Sequence, residues 1–181
     1  MKKNWKCIVL ACVGTIVALV LLIIGIVWYS QRRACYAVHL FPSLVTEIHI
    51  EDGKCNYKWL TVLSLSQYKS LKSVEIGDGS YMYVKVLNIT GLNELESVVI
   101  GENSFSKQDC FASEDPSRRF YLKNCPALKE LKMGYGSFSD YSVCEIESVD
   151  ALEVIEMGDL NEGSLNFVYA SLELKSILIQ I

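Results

Sequence analysis

His39 and His49 are the only imidazoles in this 181-residue chain, so acid–base, nucleophilic or metal chemistry must be built around them or around carboxylates and thiols. Catalysis requires such groups to be held within reach of a nucleophile or a proton acceptor. His39 precedes the first repeat described below. His49 belongs to "VTEIHI", where alternation turns it outward and repeat sidedness sets it beside Glu75, an arrangement that imitates half of a catalytic triad. The chain holds no Gly-x-Ser-x-Gly elbow, no phosphate loop and no His-Glu-x-x-His. The pair therefore reads as an exposed ion pair. No enzymatic activity and no cofactor are expected.

Seven cysteines raise the question of metal or disulfide. Cys7 and Cys12 fall in or beside a long apolar run. The other five show no Cys-x-x-Cys spacing, which argues against zinc. Cys55, Cys125 and Cys144 occupy positions filled by apolar residues in neighbouring repeats and read as small buried hydrophobes. Cys35 and Cys110 stand outside the repeat. A disulfide involving either is admissible if the domain is extracellular, and the odd number leaves one thiol unpaired.

One glycosylation sequon occurs, Asn88-Ile89-Thr90. Asn88 aligns with Ser64, Tyr121 and Glu145 in an outward column, so Asn88 is the candidate glycosylation site if that face meets a secretory lumen.

These residues are carried by two kinds of segment. Residues 8–28, "IVLACVGTIVALVLLIIGIVW", hold no charge and suit a helix of roughly 30 Å, the thickness of the hydrocarbon slab. Trp5, Trp28 and Tyr29 stand where interfacial aromatics are expected. A cleaved signal peptide has a shorter apolar region and a small-x-small site, and "VWYSQRRACYA" supplies no clean one. An uncleaved signal-anchor is expected, so membrane lipid is a partner. Lys2, Lys3 and Lys6 ahead of the run, against Arg32 and Arg33 after it, favour a cytoplasmic N-terminus and an extracellular or luminal remainder. Residues 1–33 hold five basic and no acidic residues. The chain's 17 basic and 21 acidic residues thus leave 12 against 21 beyond them, a net −9. A domain so acidic has no electrostatic affinity for phosphate backbones, and nucleic acid is excluded as a partner.

The second kind of segment repeats. "VTEIHI" (45–50), "LKSVEI" (71–76), "LESVVI" (95–100), "LKELKM" (128–133), "LEVIEM" (152–157) and "LKSILI" (174–179) begin 22 to 33 residues apart. Such a period marks a solenoid, whose units bury their apolar faces only against one another. The alternating last positions suit a strand. Gly77, Gly101, Gly134 and Gly158 follow four of these strands and allow a sharp turn. Ser80-Tyr81, Ser104-Phe105 and Ser137-Phe138 then set one aromatic per coil at one depth. "LSLSQYKSL", "LNITGLNEL", "FYLKNCPAL" and "CEIESVDAL" read as a second short strand and a turn. In the fifth unit "DLNEGSL" disturbs the Ser-aromatic step. Glu51 replaces the first glycine.

Leu-x-x-Ile-x-Ile-Gly-x-x-Ser-Phe followed by x-Leu-x-x-x-x-x-Leu resembles a leucine-rich repeat, and most nearly the BspA-like kind found on the surfaces of protists and some bacteria. The resemblance covers residues 45–181. It implies a mainly β leucine-rich-repeat solenoid of short parallel strands with few helices, joined to one N-terminal transmembrane helix. The expected organisation is a short tail (1–7), a signal-anchor helix (8–29), a juxtamembrane linker or N-cap (30–44) and a repeat domain (45–181) of about five coils plus a terminal strand.

The function expected of this assembly is display of a binding surface for an unknown protein or surface ligand. The alternatives are a structural surface coat, or a truncated repeat-family member without a retained partner. The candidate contacts are the outward column His49, Glu75, Val99, Lys132 and Glu156. A second candidate is the insertion between Phe105 and Phe120, nine residues longer than in neighbouring units, whose plainer reading is a solvated loop. The last strand leaves Ile177, Leu178 and Ile179 as an apolar edge open to self-association.

Overall fold

A strand that buries every second side chain has one face to cover, and five near-copies of one strand cover it by stacking in register. The computed structural model describes residues 13–25, 35, 42–107, 114–158 and 164–175. The chain divides into two compact units, Met1–Ala34 and Cys35–Ile181.

In the first unit, residues 13–25 form helix α1 with every side chain exposed. Among the described residues no helix is long and apolar enough to cross a membrane. Thirteen helical residues rise roughly 20 Å, against about 30 Å of hydrocarbon. The expected span of 8–29 runs past α1 at both ends, and residues 8–12 and 26–29 lie outside the described residues.

The second unit is mainly β, a solenoid of about four turns built from parallel strands. After a 3-10 turn at Pro42–Leu44 come β1 (Glu47–Ile50), β2 (Val62–Ser64), β3 (Ser73–Ile76), β4 (Val86–Thr90), β5 (Ser97–Ile100), β6 (Asp115–Lys123), β7 (Glu130–Met133), β8 (Tyr141–Glu147), β9 (Val154–Met157) and β10 (Ser171–Lys175). Odd strands form one five-stranded sheet, in the order β1-β3-β5-β7-β9. Even strands form the other, in the order β10-β8-β6-β4-β2. Each coil contributes one strand to each sheet, and the core lies between them. Val74, Val98 and Leu131 share one depth with Ile76, Ile100 and Met133 beside them, all buried.

At Gly77, Gly101 and Gly134 the repeated glycine owes its place to the coil beneath it, whereas Gly158 is left-handed at φ 72°. A Cβ on Gly101 would meet the Asp78 backbone nitrogen at 2.6 Å and the Gly77 carbonyl carbon at 2.7 Å. Gly77 and Gly134 are as tightly pressed on the coil before them. Each sits there because its N–H donates back across the stack, Gly77 to Ile50, Gly101 to Ile76 and Gly134 to Ile100, each at 2.7 Å. Glu51 takes this place in the first coil, and among the described residues no earlier coil presses on it.

The repeated serine is explained by the same contacts. Ser104 Oγ accepts from Ser80 N–H (3.0 Å) and donates to the Gly77 carbonyl (2.8 Å). Ser80 Oγ donates to Glu51 O and accepts from Lys54 N–H, and Ser137 Oγ donates to Gly101 O. All three serines are buried, so their hydroxyls satisfy backbone groups that water does not reach.

The aromatics stack through the core. Tyr81 lies on Phe105 at 5.2 Å, Phe105 on Phe138 at 4.9 Å and Phe138 on Phe167 at 5.0 Å between centroids, with interplanar angles of 9°, 5° and 6°. Phe167 corrects the expectation that the fifth unit breaks the pattern. Asn166-Phe167 supplies the step, and Asn166 Nδ2 donates to Gly134 O and Ser137 O where a serine hydroxyl acts elsewhere.

That step moves the register downstream. Leu174 and Lys175 do not begin another strand of the odd sheet. They end β10, which pairs with β8 in the register Leu172↔Cys144 and Leu174↔Ile146. After an aromatic the chain must first cross the even sheet, so "LKSILI" is read one strand too early. Ile177, Leu178 and Ile179 lie outside the described residues. Among those described, β9 is the edge strand of its sheet at the C-terminal end. Its Ile155 is 39 % exposed, where Leu131 at the same depth is 0 %.

Candidate functional site

Parallel pairing without a slip puts His49, Glu75, Val99, Lys132 and Glu156 in one row across the odd sheet. Side chains in such a row stand about 4.8 Å apart. Glu47, Ser73, Ser97, Glu130 and Val154 form the row beside it. Both rows face out because the alternate positions, from Ile48 to Leu131, are in the core.

The two rows carry four carboxylates (Glu47, Glu75, Glu130 and Glu156) against Lys132 and a histidine. His49, Glu75, Glu130, Lys132 and Glu156 are paired within the rows. His49 Nδ1 is 3.0 Å from Glu75 Oε2. Lys132 Nζ is 2.6 Å from Glu130 and 3.8 Å from Glu156, and Ser97 Oγ donates to Glu130 at 3.1 Å. Hydrogen bonding to Glu130 raises the Lys132 ammonium above its ordinary range, and the bond from Lys132 lowers Glu130. Val99 is the apolar centre of the row. Nothing here resembles a nucleophile with its base. Among the described residues no cluster of histidine, cysteine, aspartate and glutamate could hold a metal ion.

Asn88 lies on β4 in the outward column Ser64, Asn88, Tyr121, Glu145 and Glu173 of the even sheet. Its side chain is half-buried, and its Oδ1 accepts a hydrogen bond from Thr90 Oγ1.

Cys55 is not a lone hydrophobe. It takes the aromatic's place in the first coil and is bonded to Cys35 (S–S 2.09 Å, Cα–Cα 5.2 Å). Among the described residues no ring stacks on the far face of Tyr81 from Phe105, and the bridge stands at that end of the stack. Tyr81 Oη donates to Cys35 O at 3.4 Å, and burial raises the Tyr81 hydroxyl well above its ordinary value. Cys125 and Cys144 are free and buried, as small apolar residues would be. Burial pushes both thiols up, Cys144 to about 12. Cys110 lies outside the described residues.

The insertion is not simply solvated. Residues 108–113 lie outside the described residues, but its far end is the nine-residue β6, and Arg118 there is wholly buried. Its Nη1 donates to Phe105 O (2.8 Å) and Asp140 Oδ1 (3.3 Å), and its Nη2 to Met82 O (2.7 Å). Its Nε lies 3.2 Å from Asp140 Oδ2 and 3.7 Å from Asp115 Oδ2. The guanidinium also sits 5.5 Å from the centre of the Tyr141 ring. Burial raises the Asp140 carboxyl against the pull of Arg118. For Asp115 burial acts upward too, but hydrogen bonds from Ser117 and Lys107 outweigh it and leave the carboxyl at about 2. The signal for Arg118 was its place two residues before Phe120, on the same side of an alternating strand.

Comparison of the chain with protein-family models, with characterised proteins and with solved structures finds no match.

Proposed function

We propose that this chain is a single-pass membrane protein of the leucine-rich-repeat kind, displaying its odd sheet as a binding surface for another protein or a surface ligand. The observation that carries the reading is the row His49, Glu75, Val99, Lys132 and Glu156. It is an unbroken five-strand register with an apolar centre and an acidic surround. A partner presenting basic side chains around an apolar contact complements it. Leu71, Leu95 and Leu128, the first residue of three repeats, are fully buried at matching places, which supports the leucine-rich-repeat assignment. The Cys35–Cys55 bridge supports an extracellular or luminal domain, since disulfides persist in oxidising compartments. The sequon at Asn88 fits the same side. Binding, not catalysis, is the role we assign.

A photo-crosslinking residue at position 99, in the full chain in its native membrane, tests the surface against the same probe at Tyr121 on the even sheet. Adducts at 99 that disappear with Glu75→Lys and Glu156→Lys support the reading. Equal adducts at both positions, or none at 99, sink it.

A further inference from the structure

We propose that Asn88 carries an N-linked oligosaccharide that covers the centre of the even sheet. This rests on the reading that the repeat domain lies on the extracellular or luminal side.

Asparagine is disfavoured in strands, and of the described asparagines Asn88 alone lies in one. The others have structural reasons for their places. Asn56 Nδ2 donates to Gly53 O and Gly79 O, and Asn166 Nδ2 to Gly134 O and Ser137 O. Asn103 and Asn124 hold left-handed backbones, at φ 52° and 54°, which asparagine tolerates better than most residues. Asn93 sits in an exposed turn. Asn88 does none of this. Leu87 and Ile89 are in the core, so Asn88 and Thr90 point outward together. The Thr90 hydroxyl donates to Asn88 Oδ1, and among the described residues Asn88 Nδ2 donates to no protein atom.

That nitrogen is the atom an N-linked glycan occupies. The donor is a lipid-linked oligosaccharide diphosphate. Its bond from the sugar C1 to the diphosphate oxygen breaks, and a bond from Asn88 Nδ2 to C1 forms. Nδ2 gives up one proton, and the lipid diphosphate leaves with the bonding pair, so the exchange is redox-neutral. Because Nδ2 has no acceptor among the described residues, its substitution forfeits no hydrogen bond they make.

Register fixes what the sugar covers. Ser64 on β2 and Tyr121 on β6 are the partners of Asn88, about 4.8 Å to either side. All three are uncharged and half-buried. A hydrated oligosaccharide at Asn88 excludes a protein from the middle of this sheet. It leaves the odd sheet, on the other side of the core, open to one.

The test uses the full chain made in cells that glycosylate secretory proteins. Treatment with a peptide N-glycosidase should shift its mobility and leave aspartate at position 88, read by mass spectrometry. Thr90→Ser should keep the shift, and Asn88→Gln and Thr90→Ala should each abolish it. A reporter sequon, Glu94→Asn with Glu96→Thr in the Asn88→Gln chain, falls at exposed positions of the same domain and records which side the domain occupies. A glycosylated reporter with an unmodified parent overturns the Asn88 site alone. If neither is modified, the extracellular reading and the site fall together. Coverage is read with Ser64→Cys. A bulky maleimide should label that thiol several-fold faster once Asn88→Gln is added, and a small maleimide equally in both chains. Equal rates with the bulky reagent on a glycosylated parent overturn the cover.

Discussion

Phe138 lies face to face with Phe105, centroids 4.9 Å apart, although both backbones are left-handed, at φ 58° and 55°. Cys55, Tyr81 and Phe167, at the same step of their coils, share that conformation, with φ of 63°, 56° and 51°. The left-handed region costs a side-chain-bearing residue roughly 1–2 kcal/mol. It is held here because the turn delivers each ring onto the one before it. Phe105→Ala and Phe138→Ala keep the unfavourable backbone and lose the ring. Each should lower unfolding stability by about 3–5 kcal/mol in denaturant melts of the full chain. A loss under ~1 kcal/mol at both sites would show that the stack does not hold the coils together.

Gly101→Ala should destabilise by about 1–3 kcal/mol. The atoms its Cβ would strike are largely backbone atoms of the preceding coil, which cannot rotate away. A variant as stable as the parent in the same melts contradicts the close stacking of coils.

Arg118→Met leaves Asp140 buried without its cation, and Asp140→Leu leaves Arg118 without its nearest anion. Breaking a buried pair from one side costs about 3–5 kcal/mol, whereas apolar replacement of both partners is often near neutral. The double variant should therefore recover much of what either single change loses. Additive losses in the double-mutant cycle would deny the coupling.

Asp115 sets an acid limit. Its carboxyl stands at about 2, below the ordinary 3.8. A lowered folded value means that the group adds stability above the unfolded pKa and loses it as pH falls. Denaturation midpoints should decline between about pH 4 and pH 2, and Asp115→Asn should flatten that part of the curve while weakening the protein at neutral pH. An unchanged acid limb in the variant removes Asp115 as its source.

Cys35 and Cys55 are 20 residues apart. Closing a loop of that length restricts the unfolded chain by about 3 kcal/mol. Cys35→Ser should cost that order in denaturant melts, and thiol titration of the denatured parent should count two fewer free thiols than its seven cysteines. Full titration without reductant would refute the bridge.

The strands of the odd sheet were legible in the amino-acid sequence because Leu-x-x-h-x-h carries its own period, and period decides which face is buried. The alignment of His49, Glu75, Val99, Lys132 and Glu156 followed from the same count, since equal repeats stack equal positions. Three things needed the folded chain. Arg118 and Asp140 are 22 residues apart, and a charge in a polar stretch reads as solvated until a neighbouring coil buries it. Asn166-Phe167 replaces Ser-aromatic, and the equivalence exists only as contacts, an amide on Gly134 and a ring on Phe138. Cys55 takes the place of an aromatic in its coil, and only the fold brings Cys35 to it across 20 residues. Local pattern specifies which side of a strand is apolar, but what fills the space at the ends of a stack, or around an insertion, is decided by whatever tertiary packing brings there.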